Sequence, residues 1–162
     1  MQALVKLRNH LSCVVLGGAA LIFAVFSLPA QAALGGNLNS VQQDTIQMKA
    51  TVQVKQSDAF AVHEIKAPHG TVVREYVSPA GKVFGVAWQG PFMPDLHQLL
   101  GTYLPLYSAA LQQDHAKRPG RHPLNIHQAG LVVETSGHMR AYYGRVYVPG
   151  MVPQAVNAGE IR

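Results

Sequence analysis

The stretch AVHEIKAPHGTVVREYVSPAGKVFGVAW, residues 61–88, decides the fold. Two similar turns divide it into three apolar-rich runs, Ala67-Pro68-His69-Gly70 and Ser78-Pro79-Ala80-Gly81. Proline at the second position sets φ for a type I turn, and glycine at the fourth can take the left-handed conformation of a bulged hairpin loop. Taken as three-residue loops, the turns set a register. In the first hairpin Ala67 faces Thr71, Ile65 faces Val73, Glu64 faces Arg74 and His63 faces Glu75. In the second, Val77 faces Val83, Tyr76 faces Phe84, Arg74 faces Val86 and Val72 faces Trp88. Alternation then gives two faces. One carries Val62, Glu64, Val72, Arg74, Tyr76, Phe84, Val86 and Trp88, and the other Ala61, His63, Ile65, Val73, Glu75, Val77, Val83, Gly85 and Ala87. Neither face is plainly polar, so the meander is expected at the centre of a sheet covered at least partly on both sides.

Past the meander, Gly90-Pro91 ends the third strand and Met93-Pro94-Asp95 opens a helix, with proline near the first turn and an acid where the helix dipole favours it. Leu96, Leu99, Leu100, Tyr103, Tyr107, Ala110 and Leu111 form one apolar stripe. Pro105 would remove a backbone bond and clash with the carbonyl of Gly101, which predicts a kink or break near 101–105. The segment from His115 to His122 is a basic, turn-rich loop, and a last hairpin is expected over Leu131–Thr135 and Met139–Val148, joined through Ser136-Gly137-His138. Residues 149–162 look like a tail with at most one short helix.

Before the meander, Ser40-Val41-Gln42-Gln43 has the form of a capping box, starting a short helix to about Met48. Residues 47–58 fit a loop or a short strand, and 33–39, with Gly35 and Gly36, a loose leader. The fold class is therefore α+β: an antiparallel sheet of a three-stranded meander plus a C-terminal hairpin, a kinked helix between them, and a short N-terminal helix. One domain, 33–162, is expected.

The N-terminus carries Lys6 and Arg8, an apolar run from Leu11 to Leu28, and Pro29-Ala30-Gln31-Ala32. That is the pattern of a secretory signal peptide over 1–32, and protein recovered after export should begin at Ala33, as N-terminal sequencing would show. The run is close to the length of a membrane span. Gly17, Gly18 and the small-x-small site nevertheless fit cleavage better than a retained anchor. Cys13, preceded by His10-Leu11-Ser12, does not read as a lipidated cysteine. Export to the periplasm or the medium is expected, with no retained membrane span.

With 48% hydrophobic and 13% charged residues in 162, the chain is neither a disordered polymer nor a coiled coil, and its single cysteine excludes a disulfide scaffold. Removing Lys6 and Arg8 with the signal lowers the formal charge of +5 to +3, too weak to argue for nucleic acid. About 130 residues bury a sufficient core without covalent staples.

The run from Val73 to Trp88, Pro94-Asp95-Leu96-x-Gln98-Leu99-Leu100-Gly101 and Gly137-His138-Met139-Arg140-Ala141 resemble a family of small exported proteobacterial proteins, domain of unknown function twenty-eight forty-four. The resemblance covers nearly the whole exported part. It implies a Gram-negative envelope setting, and it brings no assigned activity, catalytic residue or cofactor.

Searching for chemistry, we find neither Gly-x-Ser-x-Gly nor Ser-x-x-Lys, and Ser78 and Ser136 sit at turns. Glu64 with Arg74 and His63 with Glu75 read as structural cross-strand pairs, each worth roughly 0.2–1 kcal/mol. Seven histidines follow the signal: His63, His69, His97, His115, His122, His127 and His138. Of these His115, His122 and His127 share one region and are the candidate ligands for a metal, although their spacing matches no metal motif. Lys117, Arg118 and Arg121 are candidate contacts for an anionic envelope component. Trp88 and Tyr76 are candidate contacts on the sheet face. The leading reading is a non-catalytic exported module, without a cofactor, that binds an envelope protein or an anionic envelope component. The alternative is an enzyme or metal-binding protein using His63 and Glu75 or the loop histidines.

Overall fold

A computed structural model describes residues 33–162 except 119, 121 and 129. The signal-peptide reading of 1–32 lies outside the described residues. Within them no helix is long and apolar enough to cross a membrane. The order is α1 (Leu38–Gln47), β1 (Thr51–Gln56), β2 (Ala61–Lys66), β3 (Val72–Val77), β4 (Val83–Gly90), α2 (Leu96–Leu100), α3 (Leu104–Lys117), β5 (Leu124–Gln128), β6 (Leu131–His138) and β7 (Ala141–Tyr147). The strands form one antiparallel sheet in the order β1-β2-β3-β4-β7-β6-β5. The sheet is thus two meanders, of four strands and of three, joined where β4 pairs with β7. The expected three-strand meander and hairpin are both present, and each has gained an outer strand, β1 and β5.

The first hairpin has the expected register, with His63 opposite Glu75 and Glu64 opposite Arg74. The second does not. Val77 faces Val83, but the register then shifts, so that Tyr76 faces Gly85, Arg74 faces Ala87 and Val72 faces Gln89. Phe84 is the extra residue of a β-bulge, which turns every later side chain of β4 to the other face. Val86 and Trp88 therefore join Ile65, Val73 and Val77 in the core under the helices, while Ala87 goes to the side expected to carry Trp88. The reason is packing: the side under the helices is the larger core, and it takes the bulky Trp88.

Gly81 sits at φ +73°, as the turn requires, and nothing lies within 4 Å of the position of a Cβ there. Its constraint is purely conformational. Gly81→Val should lower the denaturation midpoint more than Ala80→Val, by about 1 kcal/mol or more. Equal midpoints for the two variants would contradict the turn.

The interruption at Pro105 is a break. Gly101, at φ +45°, caps α2, a single 3₁₀ turn covers Gly101–Tyr103, and Pro105 falls in the first turn of α3, where no amide is missed. Other local expectations are corrected. The cap of α1 is Asn37, whose side chain accepts from the amides of Asn39 and Ser40, while the Ser40 hydroxyl bonds back to the Asn37 carbonyl. The turn of the last hairpin is Met139-Arg140, both at positive φ, as in a type I′ turn.

The two ends do not hang loose. Leu34 N donates to Leu99 O (3.0 Å) and Gly35 N to Val83 O (2.9 Å), so residues 33–39 are docked, with Leu34 buried. Residues 149–162 form 3₁₀ turns at Pro149–Met151 and Ala158–Glu160 and lie against the face away from the helices. There Val156 and Ile161 pack with Tyr76, Phe84, Ala87, Val132 and Tyr147.

Candidate functional site

The tail covers only part of its face. Beyond its end the sheet leaves an open trough of about 650 Å³, into which β4 contributes Gln89, β5 Asn125, β6 Glu134 and Ser136, and β7 Tyr143 and Arg145. The strand register makes these residues neighbours: Gln89 faces Tyr143, Ser136 faces Tyr143, and Glu134 lies between Asn125 and Arg145. Ile161 and Arg162 form one wall. Gln89 and Arg162 also border a second hollow of about 610 Å³, over β1 to β3, lined by Lys55, Phe60, Glu64, Arg74 and Tyr76. The two hollows meet at this pair of residues and make one depression across the sheet.

The charges that the strands bring to the depression are already matched, while Arg162 on its wall makes no ion pair with an acidic side chain among the described residues. Arg145 grips Glu134 through Nε (2.9 Å) and Nη2 (2.8 Å), and its Nη1 donates to the tail carbonyls of Ala158 and Ile161. Arg74 Nε lies 3.1 Å from Glu64, with Lys66 at 3.3 Å and Lys55 at 3.7 Å from the same carboxylate. Burial raises the Glu64 pKa, but the hydrogen bonds of Arg74 and Lys66 and the charges of Arg74 and Lys55 outweigh it and hold this carboxyl below its usual range. A general acid needs the opposite shift. By contrast Gln89, Asn125, Ser136 and Tyr143 make no side-chain hydrogen bond among the described residues, and Gln89, Asn125 and Tyr143 are exposed. The trough is floored by a run of neutral donors and acceptors between satisfied ion pairs.

Raised carboxyls exist on the other face. Glu75 on β3 and Asp44 on α1 are fully enclosed, at 0% and 1% exposure. Burial, the Asp44 charge and a shared hydrogen bond push the Glu75 pKa well above its ordinary value. Burial raises Asp44 to about 6, against hydrogen bonds from Gln98 and Glu75 that lower it. Gln98 Nε2 on α2 donates to Asp44 Oδ1 at 2.6 Å. With both acids ionised, Glu75 Oε1 and Oε2 and Asp44 Oδ2 would be buried without partners. A proton kept on Glu75 and donated to Asp44 relieves that, because adjacent carboxylates in a dry site cannot both be charged. None of the three residues lines the trough.

The profile of a family described as Protein of unknown function (DUF2844) matches residues 30–161. The chain belongs to that family. No curated protein and no solved structure matches it.

In this family member the candidate residues fall into separate places. Glu64 and Arg74 bond as expected. His63 and Glu75 are opposite in register but do not bond: burial lowers the His63 pKa and Glu75 holds its proton, so neither carries the charge that an ion pair needs. Trp88 is enclosed in the core under the helices, and Tyr76 is buried beneath the tail, its hydroxyl donating to Arg162 O (2.8 Å) and accepting from Arg162 N (2.9 Å). Both nevertheless border the depression, Trp88 at the trough and Tyr76 at the second hollow.

Lys117 ends α3 and is exposed, while Arg118 bonds Asp114 one turn back and thereby holds that carboxyl below its usual range. Arg121 lies outside the described residues. His115 and His122 have ring centroids 6.2 Å apart, but His127 pairs with Glu134 at 3.4 Å. Among the described residues no three His, Cys, Asp or Glu side chains converge on a metal position.

Sequence reading missed Asp44, Gln98 and the trough residues Gln89, Asn125, Ser136 and Tyr143. Asp44 had a signal, an acid on a face of α1 that also carries buried Ser40 and Val41. Asn125 and His127 alternate with buried Leu124 and Ile126, which is the signature of β5.

Proposed function

We propose that this protein is an exported, non-catalytic binding module of the bacterial envelope, and that a neutral, hydroxyl-rich saccharide segment lies in its trough. The observation that carries this reading is the group of unpartnered neutral donors and acceptors, Gln89, Asn125, Ser136 and Tyr143, beside ion pairs that are already closed. Sugar hydroxyls both donate and accept, amide and hydroxyl side chains match them, and an exposed tyrosine ring offers a stacking surface. An anionic ligand has less support, since Arg74, Arg118 and Arg145 are each bound to a carboxylate, which leaves Arg162 as the one arginine lining the trough without an acidic partner among the described residues. The signal-like N-terminus supports export.

The observation that favours catalysis is the raised pair Asp44 and Glu75, but it is enclosed on the opposite face, where no substrate group could reach it. The test is co-sedimentation of the purified chain with insoluble envelope glycan, with and without a chelator. Binding should survive the chelator and fall at least about tenfold in Tyr143→Ala combined with Gln89→Ala, a loss of about 1.4 kcal/mol. Glu75→Gln should bind as the parent does. Binding that is indifferent to the trough variants, or lost with the chelator, would overturn the reading.

A further inference from the structure

We infer that β1 is a self-association edge, at which two copies of this chain join their sheets about a two-fold axis. β1 closes one side of the sheet, and all six of its residues, Thr51-Val52-Gln53-Val54-Lys55-Gln56, are exposed. An edge strand presents unpaired amides and carbonyls, and proteins normally guard it with proline, a bulge, charged side chains or a covering element. Among the described residues β1 has no proline, bulge or covering element, and Lys55 is its only charge. It contains no proline or glycine, its pairing with β2 runs without a shift, and its one charge, Lys55, is drawn to Glu64 at 3.7 Å. The opposite edge, β5, is better protected: Pro123 precedes it, α3 packs on it, and Leu124 and Ile126 are buried.

The occupant follows from the side chains. A two-fold axis normal to the sheet keeps each face on its own side and pairs residues of equal parity. Centred on Gln53, it sets Val52 against the Val54 of the second copy, twice, on the side of the helices. Gln53 meets its own equivalent and Thr51 meets Lys55 on the other side. Each lysine then faces a hydroxyl, no like charges oppose, and amide meets amide. Val52 and Val54 are exposed by 43% and 55%, and Ile46, just before β1, by 74%. Three of the large exposed apolar side chains therefore come from one nine-residue segment, and this pairing covers the two valines. Self-pairing at one edge also closes, whereas pairing β1 to another copy's β5 would propagate into a filament.

Sedimentation equilibrium of the full purified chain over a concentration series, in a Cys13→Ser background, tests the inference. The parent should reach the mass of two chains, and Val54→Lys, at an exposed site, should keep its circular dichroism spectrum yet dissociate at least about tenfold more readily. Under mild oxidation Gln53→Cys should form an intermolecular disulfide, and Thr51→Cys should not, because position 51 lies opposite 55. A parent that stays monomeric throughout, a folded Val54→Lys that associates like the parent, or cross-linking at position 51 equal to that at 53 would each overturn it. Glycan binding is read separately, so failure of one assignment leaves the other standing.

Discussion

The unfolding midpoint of this protein should fall as pH rises from about 4 to 8, and Glu75→Gln should remove the part of that fall that Glu75 carries. Asp44 and Glu75 hold protons more tightly in the folded chain than in the unfolded one. Between the unfolded and folded pKa values the native state binds more protons, so stability decreases as pH increases. The contribution is complete below the unfolded value near 4 and is lost as pH rises through about 6 for Asp44 and higher for Glu75. A rise of about two pKa units at Asp44 corresponds to roughly 3 kcal/mol at most, since one unit is about 1.4 kcal/mol and the two sites share the effect. Glu64, held low, acts in the opposite sense: its contribution is present above the unfolded pKa and lost as pH falls through the folded one. In Glu75→Gln the amide still donates to Asp44 but has no proton to lose. Chemical denaturation at pH 5 and pH 8 should give a clearly smaller difference between midpoints in that variant than in the parent, the remainder belonging to Asp44, whose burial is unchanged. Equal parental midpoints would show that Glu75 does not keep its proton.

The second large effect is expected at Gly144. A Cβ there would lie 2.5 Å from Trp88 Cζ2, 2.8 Å from Cε2 and 3.0 Å from the Glu134 carbonyl. Strand propensity alone favours Gly144→Val, since glycine weakens strands and valine suits them. Steric exclusion wins, because the ring is fully enclosed and the nearest other atom is backbone. Over-packing of this kind costs about 1–3 kcal/mol. Trp88 is the only tryptophan, so its fluorescence reports directly on the contact. Gly144→Val should lower the urea midpoint and shift the emission to the red. Unchanged emission with an unchanged midpoint would place the indole elsewhere.

Both predictions turn on partners from distant parts of the chain, and that separates what was legible. Proline and glycine at set positions in the two turns specify φ locally, so the first hairpin, its Glu64–Arg74 pair and the break at Gly101–Pro105 could be read directly. The bulge at Phe84 could not. Both registers satisfy the turn, and the choice between them lies in which core takes Trp88. The trough was equally hidden, because it exists only where β4 meets β7 and the tail forms one wall. Its residues are ordinary polar side chains of five separate stretches.

By itself the sequence determined the α+β class, the antiparallel central meander and the helix interruption, through local backbone preference and periodicity, and the family, through its residue runs. Tertiary structure alone decided that Glu75 answers to Asp44 rather than His63, that the ends of the domain are docked, and that β1 stands open. Desolvation, enclosure and edge exposure depend on which distant segments come together, and no local run of residues encodes that separately.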